Sequence, residues 1–194
     1  MLGQIFSILI QRLLKVKGMR FKYIFIPSFL FIIGKIGGSP VVTSVESLKS
    51  GMFATLLSQV ILPNVGQIPG QQDRKKCLVG LCYLAAKTEQ MRMPAFKSVA
   101  VDVVKSIASL VSSKDPHSKV KDEGDDTTAE IAYNSNSGFS RLSFATSKKS
   151  DPFPNIKTDN ALITQSLMQL NQLVPGVINA SGVSDALRTS GVRV

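Results

Sequence analysis

The sequence predicts an all-α protein, a short stack of paired helices, and three observations predict it. In one segment after another, apolar residues recur at the three- and four-residue spacing of a helix face. Glycine and proline separate those segments. No stretch alternates apolar and polar residues strongly enough to compete as a strand. A chain of 194 residues is long enough for one core or a few repeats. Its 44% hydrophobic and 19% charged content excludes wholesale disorder.

In the first segment Leu2, Ile5, Phe6, Leu9 and Leu13 form one stripe, with Gln11 and Arg12 off it. A second helix begins near Phe21 and ends at Gly37, Gly38 and Pro40, giving an antiparallel pair. A short helix in "VTSVESLKS" then precedes "GMFATLLSQVILPNV", where Met52, Phe53, Leu56, Leu57, Val60 and Ile61 recur at helical spacing until Pro63 and "GQIPG" close a second pair. The third pair starts with "QQDRKKCLVGLCYLAAKT", whose Cys77, Leu78, Leu81, Cys82 and Ala85 share a face. It continues with "PAFKSVAVDVVKSIASLVSS", where Pro94 suits the first turn and Phe96, Val99, Ala100, Val103, Ile107, Leu110 and Val111 make a seam. Residues 1–112 are thus read as stacked pairs. Residues 113–138 lack period and carry an acidic centre, which reads as a long, partly disordered loop. Residues 139–194 hold a helix from about Lys157 to Leu173, with Leu162, Ile163, Leu167 and Leu170 inward, and one short helix in "ASGVSDALRTSGV".

The most apolar stretch is "FKYIFIPSFLFIIGKIGG", residues 21–38. Its uncharged run between Lys22 and Lys35 is shorter than the roughly 20 residues that cross a bilayer. Arg12, Lys15, Lys17 and Arg20 precede it as they would in a signal peptide, yet "GKIGGSP" offers no small-residue cleavage site. A helix buried on nearly all sides fits better, with Pro27 bending it between neighbours. Membrane insertion is therefore not expected.

Chemistry is excluded in a similar way. The net charge of +10 raises nucleic acid as a partner, but the basic residues are scattered ("RKK" at 74–76, "KK" at 148–149) and lack aromatic interleaving. They are read as solvated helix faces, and nucleic-acid binding is not expected. Cys77 and Cys82 with a single His117 cannot assemble a four-ligand zinc site, so they read as buried reduced thiols of a cytosolic or nuclear protein. The sequon-like "NAS" at Asn179 would matter only after secretion. His117 falls in the polar loop, no nucleophile–base arrangement is supported, and "GGSP" ends a helix where a phosphate loop would open one. Neither an enzyme nor a cofactor is expected.

Helix pairs starting near residues 2, 41 and 73 have the spacing of HEAT units, whose pairs stack into a solenoid of about three to four here. The run "FATLLSQVILPNVGQIPGQQDRKKCLVGLCYLAAKT", followed by "SGFSRLSFATSKKSDPFPNIKTDNALITQSLMQLNQLVPG", resembles the C-terminal region of the cellular apoptosis susceptibility (exportin-2) family of nuclear export receptors. The resemblance is carried by Phe53 to Leu57, by Ile61, Leu62 and Pro63, and by Lys75, Lys76, Cys77, Val79 and Gly80. It continues in order through Phe139, Leu142, Phe144, Ala145, Lys148, Lys149, Asp151, Pro152, Ser166, Leu167, Pro175 and Gly176. The N-terminal third is similar to the family's preceding repeat in its layout of helix, basic turn and helix.

The resemblance implies a karyopherin, of importin-β type, that carries importin-α from nucleus to cytoplasm with Ran-GTP. It covers most of this chain but only the last part of a typical member, leaving a fragment, a truncated gene model and a diverged paralogue as alternatives. The repeats that principally hold Ran would lie upstream. Met1 to Lys35, packed on an upstream repeat in the family, is expected to expose an apolar face in isolation. The loop departs from the family in being diluted by Lys114, Lys119 and Lys121. Within it, Asp122, Glu123, Asp125 and Asp126 are the candidates for touching a basic surface on importin-α or Ran, against the plainer reading of a solvated linker. The other function classes are a membrane-associated helical protein and a nucleic-acid-binding helical scaffold.

Overall fold

A computed structural model describes residues 2–15, 19–93, 96–112, 151–156 and 160–192. Among these the regular structure is helical, without strands. The helices are α1 (Leu2–Lys15), α2 (Met19–Ile36), α3 (Gly38–Glu46), α4 (Met52–Leu56), α5 (Leu62–Val65), α6 (Gln71–Lys87), α7 (Lys97–Ser112), α8 (Asn160–Leu173), α9 (Val177–Ser181) and α10 (Ser184–Thr189). None of them is long and apolar enough to cross a membrane.

The helices α1 and α2 run antiparallel, as the spacing predicts. The rings of Phe6 and Phe29 meet edge-on at 5.5 Å, and one end of the pair is tied by Arg12 over the ring of Phe21 at 5.6 Å. Phe6, Ile10 and Leu13 form the buried edge of α1. From this pair a chain of aromatic contacts crosses the molecule, from Phe25 to Phe29, on to Phe53 and then to Phe96 at the start of α7. Such rings bury large apolar area and hold preferred geometries, so they couple successive pairs into one core.

The apolar stretch of residues 21–38 is less enclosed than expected. Phe25, Ile26, Phe29, Leu30 and Ile33 are buried, but Ile24 and Ser28 leave part of one side of α2 exposed. The helix surrounded on nearly all sides is α6. It lies between α2 and α8, touches α3 and α7, and has no fully exposed residue from Gln72 to Ala86. The structure thus regroups the expected pairs: α2, α6 and α8 are side by side, while α7 packs on α5, α6, α9 and α10. A helix with neighbours on both flanks loses its polar face, whereas among the described residues the N-terminal half of α2 has a side, at Ile24 and Ser28, that none covers.

Pro63 does not end its helix. Between α4 and α5 the backbone widens into a π-helical turn, Leu57–Ile61, in which the Leu62 N–H donates to the Leu57 carbonyl. Proline offers no N–H and crowds the carbonyl four residues back, and the wider turn accommodates both. The extra residue rotates the apolar face, so that Ile61, Leu62 and Val65 are buried while Val60 is only partly so. Asn64 Nδ2 donates to the Val60 carbonyl at 2.7 Å, a side-chain bond that ties the end of the π-turn to α5.

Likewise "GGSP" both ends α2 and opens α3, earlier than the expected "VTSVESLKS" helix. Gly37, at φ 90°, is the residue before α3, a conformation glycine adopts at little cost. The C-terminal end forms two short helices, α9 and α10, where one was expected, because Gly182 at φ 67° interrupts it.

Candidate partner-binding surfaces

Asp122, Glu123, Asp125 and Asp126, with His117, Pro94 and the diluting lysines, lie outside the described residues. What the structure places are the basic residues of α6 and the surfaces around them. No group of histidine, cysteine and carboxylate side chains able to hold a metal occurs among the described residues.

The "RKK" triplet resolves into three different roles. Arg74 is buried, its guanidinium donating to the Gly66 carbonyl after α5 at 3.3 Å and to the Leu110 carbonyl near the end of α7 at 3.1 Å. A planar fork of donors suits two carbonyls at converging helix ends, where the dipoles also favour a cation. Arg74 is three and four residues before Cys77 and Leu78, so it heads the stripe predicted to be apolar; that position was the available signal for a buried cation. Lys76 pairs within its helix with Asp73 at 2.6 Å. Lys75 reaches across 76 residues of sequence to Asp151.

Around Lys75 the segment 151–156 is clasped onto the groove between α2 and α6. Lys75 Nζ donates to Asp151 Oδ2 at 2.6 Å and to the Phe153 carbonyl at 3.0 Å. Asp151 Oδ1 accepts the Phe153 N–H at 2.9 Å, closing an Asx turn around Pro152. Lys75 and that N–H together hold the Asp151 carboxyl below its usual range. The ring of Phe153, 3% exposed, sits where Gly34 has no side chain: a Cβ there would lie 2.7 Å from Phe153 Cζ. Phe31 packs beside it at 5.3 Å, and the Lys35 ammonium lies over the Phe153 ring at 4.8 Å. Such a cation–ring contact stabilises the seat.

Among the described residues two further surfaces are exposed. Ile8 on α1 and Ile24 on α2 are 68% and 65% exposed, on the helices expected to pack on an upstream repeat. Along α8 runs a shallow groove of about 620 Å³ lined by Asn160, Thr164, Gln165, Met168, Gln169 and Gln172, uncharged throughout. Cys77 and Cys82 are free thiols in the core, as the sequence suggests, and burial raises both, Cys82 to about 12 and Cys77 further. Thiolate chemistry at neutral pH is thereby suppressed.

Residues 1–192 match the protein family described as "CAS/CSE protein, C-terminus". Curated relatives include the exportin-2 of Drosophila melanogaster, 27% identical over 90% of this chain and 18% of the fly protein. The exportin-2 proteins of Mus musculus and Homo sapiens are 27% and 26% identical, each over 98% of this chain and 20% of the relative. The chain therefore spans about a fifth of the length of the curated relatives it matches. No solved structure matches. With an all-α stack of HEAT-like helices matched to a karyopherin family along nearly its whole length, this chain belongs to the CAS/CSE family of nuclear export proteins, in the part that forms their C-terminus.

Proposed function

We propose that this chain acts as the C-terminal module of an exportin-2-like receptor that returns importin-α from nucleus to cytoplasm together with Ran-GTP. The observation that carries the reading is the family match over residues 1–192. Stacked helices offer broad surfaces for protein partners, which suits a transport role without catalysis. Upstream repeats supply most of the Ran contact, and the module works in both nucleus and cytoplasm.

Asp122, Glu123, Asp125 and Asp126 form the proposed partner-contact loop, steering basic surfaces of importin-α or Ran. The test joins this chain to the upstream repeats of an exportin-2 and measures importin-α capture with Ran-GTP and with Ran-GDP. Capture confined to Ran-GTP supports the reading, and none in either state sinks it. Changing the four acids to Ser should slow association and weaken its salt dependence; unchanged kinetics would remove the loop from the proposal and leave the rest standing.

A further inference from the structure

The clasp around Phe153 has the attributes of a bound ligand more than of a connecting turn. Thirty-eight residues separate Ser112 at the end of α7 from Asp151, so local chain geometry does not force the segment into its groove. The seat is built independently of it: Gly34, Phe31 and Lys35 come from α2, and Lys75 and Val79 from α6. Each part of the segment has a matching partner. The carboxylate meets the Lys75 ammonium, the ring fills a notch that any side chain at position 34 would close, and the Phe153 carbonyl accepts a second hydrogen bond from Lys75. Prolines at 152 and 154 and the Asx turn hold the ring in its presenting conformation before docking, which lowers the entropy lost on binding.

We propose that the notch between α2 and α6 is a recognition site for Asp-Pro-Phe turns, filled in cis by Asp151–Phe153, and that a partner protein carrying such a turn displaces this segment in trans. The ring supplies most of the affinity and the aspartate the orientation, because the carboxylate–ammonium pair is partly exposed while the ring is not. A tethered segment competes at an effective concentration of about millimolar, so the site admits a partner in proportion to its local abundance.

The test uses the full chain and a fluorescent peptide Ser-Asp-Pro-Phe-Pro-Asn-Ile. A Phe153→Ala chain, with helical content unchanged by circular dichroism, should bind this peptide saturably. Binding should weaken severalfold for the peptide's Asp151→Ala version and at least about tenfold for its Phe153→Ala version. The chain carrying Phe153→Ala together with Gly34→Val should not bind. If the Phe153→Ala chain does not distinguish the peptide from its Phe153→Ala version, the proposal is overturned. Should that variant not fold, amide exchange on the intact chain decides: excess peptide should speed exchange at Phe153 and Ile156, whose N–H groups close the turn, and leave α6 unchanged. Unaltered exchange at both would overturn it. A concentration-dependent dimer that the peptide dissolves would assign the occupant to a second copy, and would overturn the partner reading.

Discussion

Replacing Gly80 with alanine sets two effects of opposite sign against each other. In the interior of an exposed helix this change stabilises by about 1 kcal/mol, since glycine is the poorer helix former. Gly80, however, packs directly against the backbone of α2 at Leu30. An added Cβ would lie 2.3 Å from the Leu30 carbonyl oxygen, 2.7 Å from Leu30 Cβ and 2.8 Å from the Leu30 carbonyl carbon. Ordinary contact begins near 3.4 Å, so α2 and α6 must part by about 1 Å. The obstacle is backbone and cannot rotate away. Overpacking of this kind costs about 1–3 kcal/mol, and a gap of that size forfeits a quarter to a half of the attraction of each contact it opens. Because the 2.3 Å contact is with backbone, the cost falls in the upper part of that range, about 2–3 kcal/mol. It outweighs the helix gain, so Gly80→Ala should destabilise by about 1–2 kcal/mol. For a chain of this size that lowers the midpoint of thermal unfolding, followed by circular dichroism, by about 2–8 °C. Gly34→Ala is the control, because its new Cβ meets the Phe153 ring, a side chain at the groove that can withdraw while the two helices stay in place. A midpoint that rises for Gly80→Ala would refute the close α2–α6 contact on which the layer is built.

Three further outcomes are expected. Arg74→Met should cost about 2–3 kcal/mol in urea unfolding, and Arg74→Lys should recover only part, because a single ammonium cannot reproduce the fork that spans the Gly66 and Leu110 carbonyls; full recovery by lysine would contradict the geometry. Since burial raises both thiols from their ordinary 9.0, their contribution is complete below that pH and declines as pH rises above it, by about 1.4 kcal/mol per pH unit for each thiol. Cys82→Ala should therefore reduce the alkaline loss of stability relative to the parent, and an identical pH profile would count against deep burial. Ile8→Asp with Ile24→Asp should suppress self-association in analytical ultracentrifugation without unfolding the chain, and a parent that stays monomeric at high concentration would argue that this face is not adhesive.

The helices and their apolar faces were legible in the sequence because period and punctuation are local properties. The seam of α7 and the inward residues Ile163, Leu167 and Leu170 emerge where the spacing put them. Three features were hidden because their causes are not local. Pro63 reads as a stop, and only packing on α7 and the π-turn explain why the helix continues. The centrality of α6 depends on α8, which arrives after the long connection. Lys75 reads as solvated charge until a carboxylate far away in sequence supplies its partner, and Arg74, although its place at the head of the apolar stripe hints at burial, does not show which distant carbonyls receive it. Gly34 and Gly80 carried no warning, since a glycine within a helical pattern gives no indication of which atom of another helix will press on it.

Whether this chain completes an importin-α exporter is decided by export itself. Permeabilised cells preloaded with fluorescent importin-α would receive Ran-GTP and either an exportin-2 lacking its C-terminal region or the same receptor completed by this chain. The completed receptor should speed the loss of nuclear fluorescence, in a manner that requires Ran-GTP. Efflux no faster than with the shortened receptor, from a chimera that is folded, would contradict it.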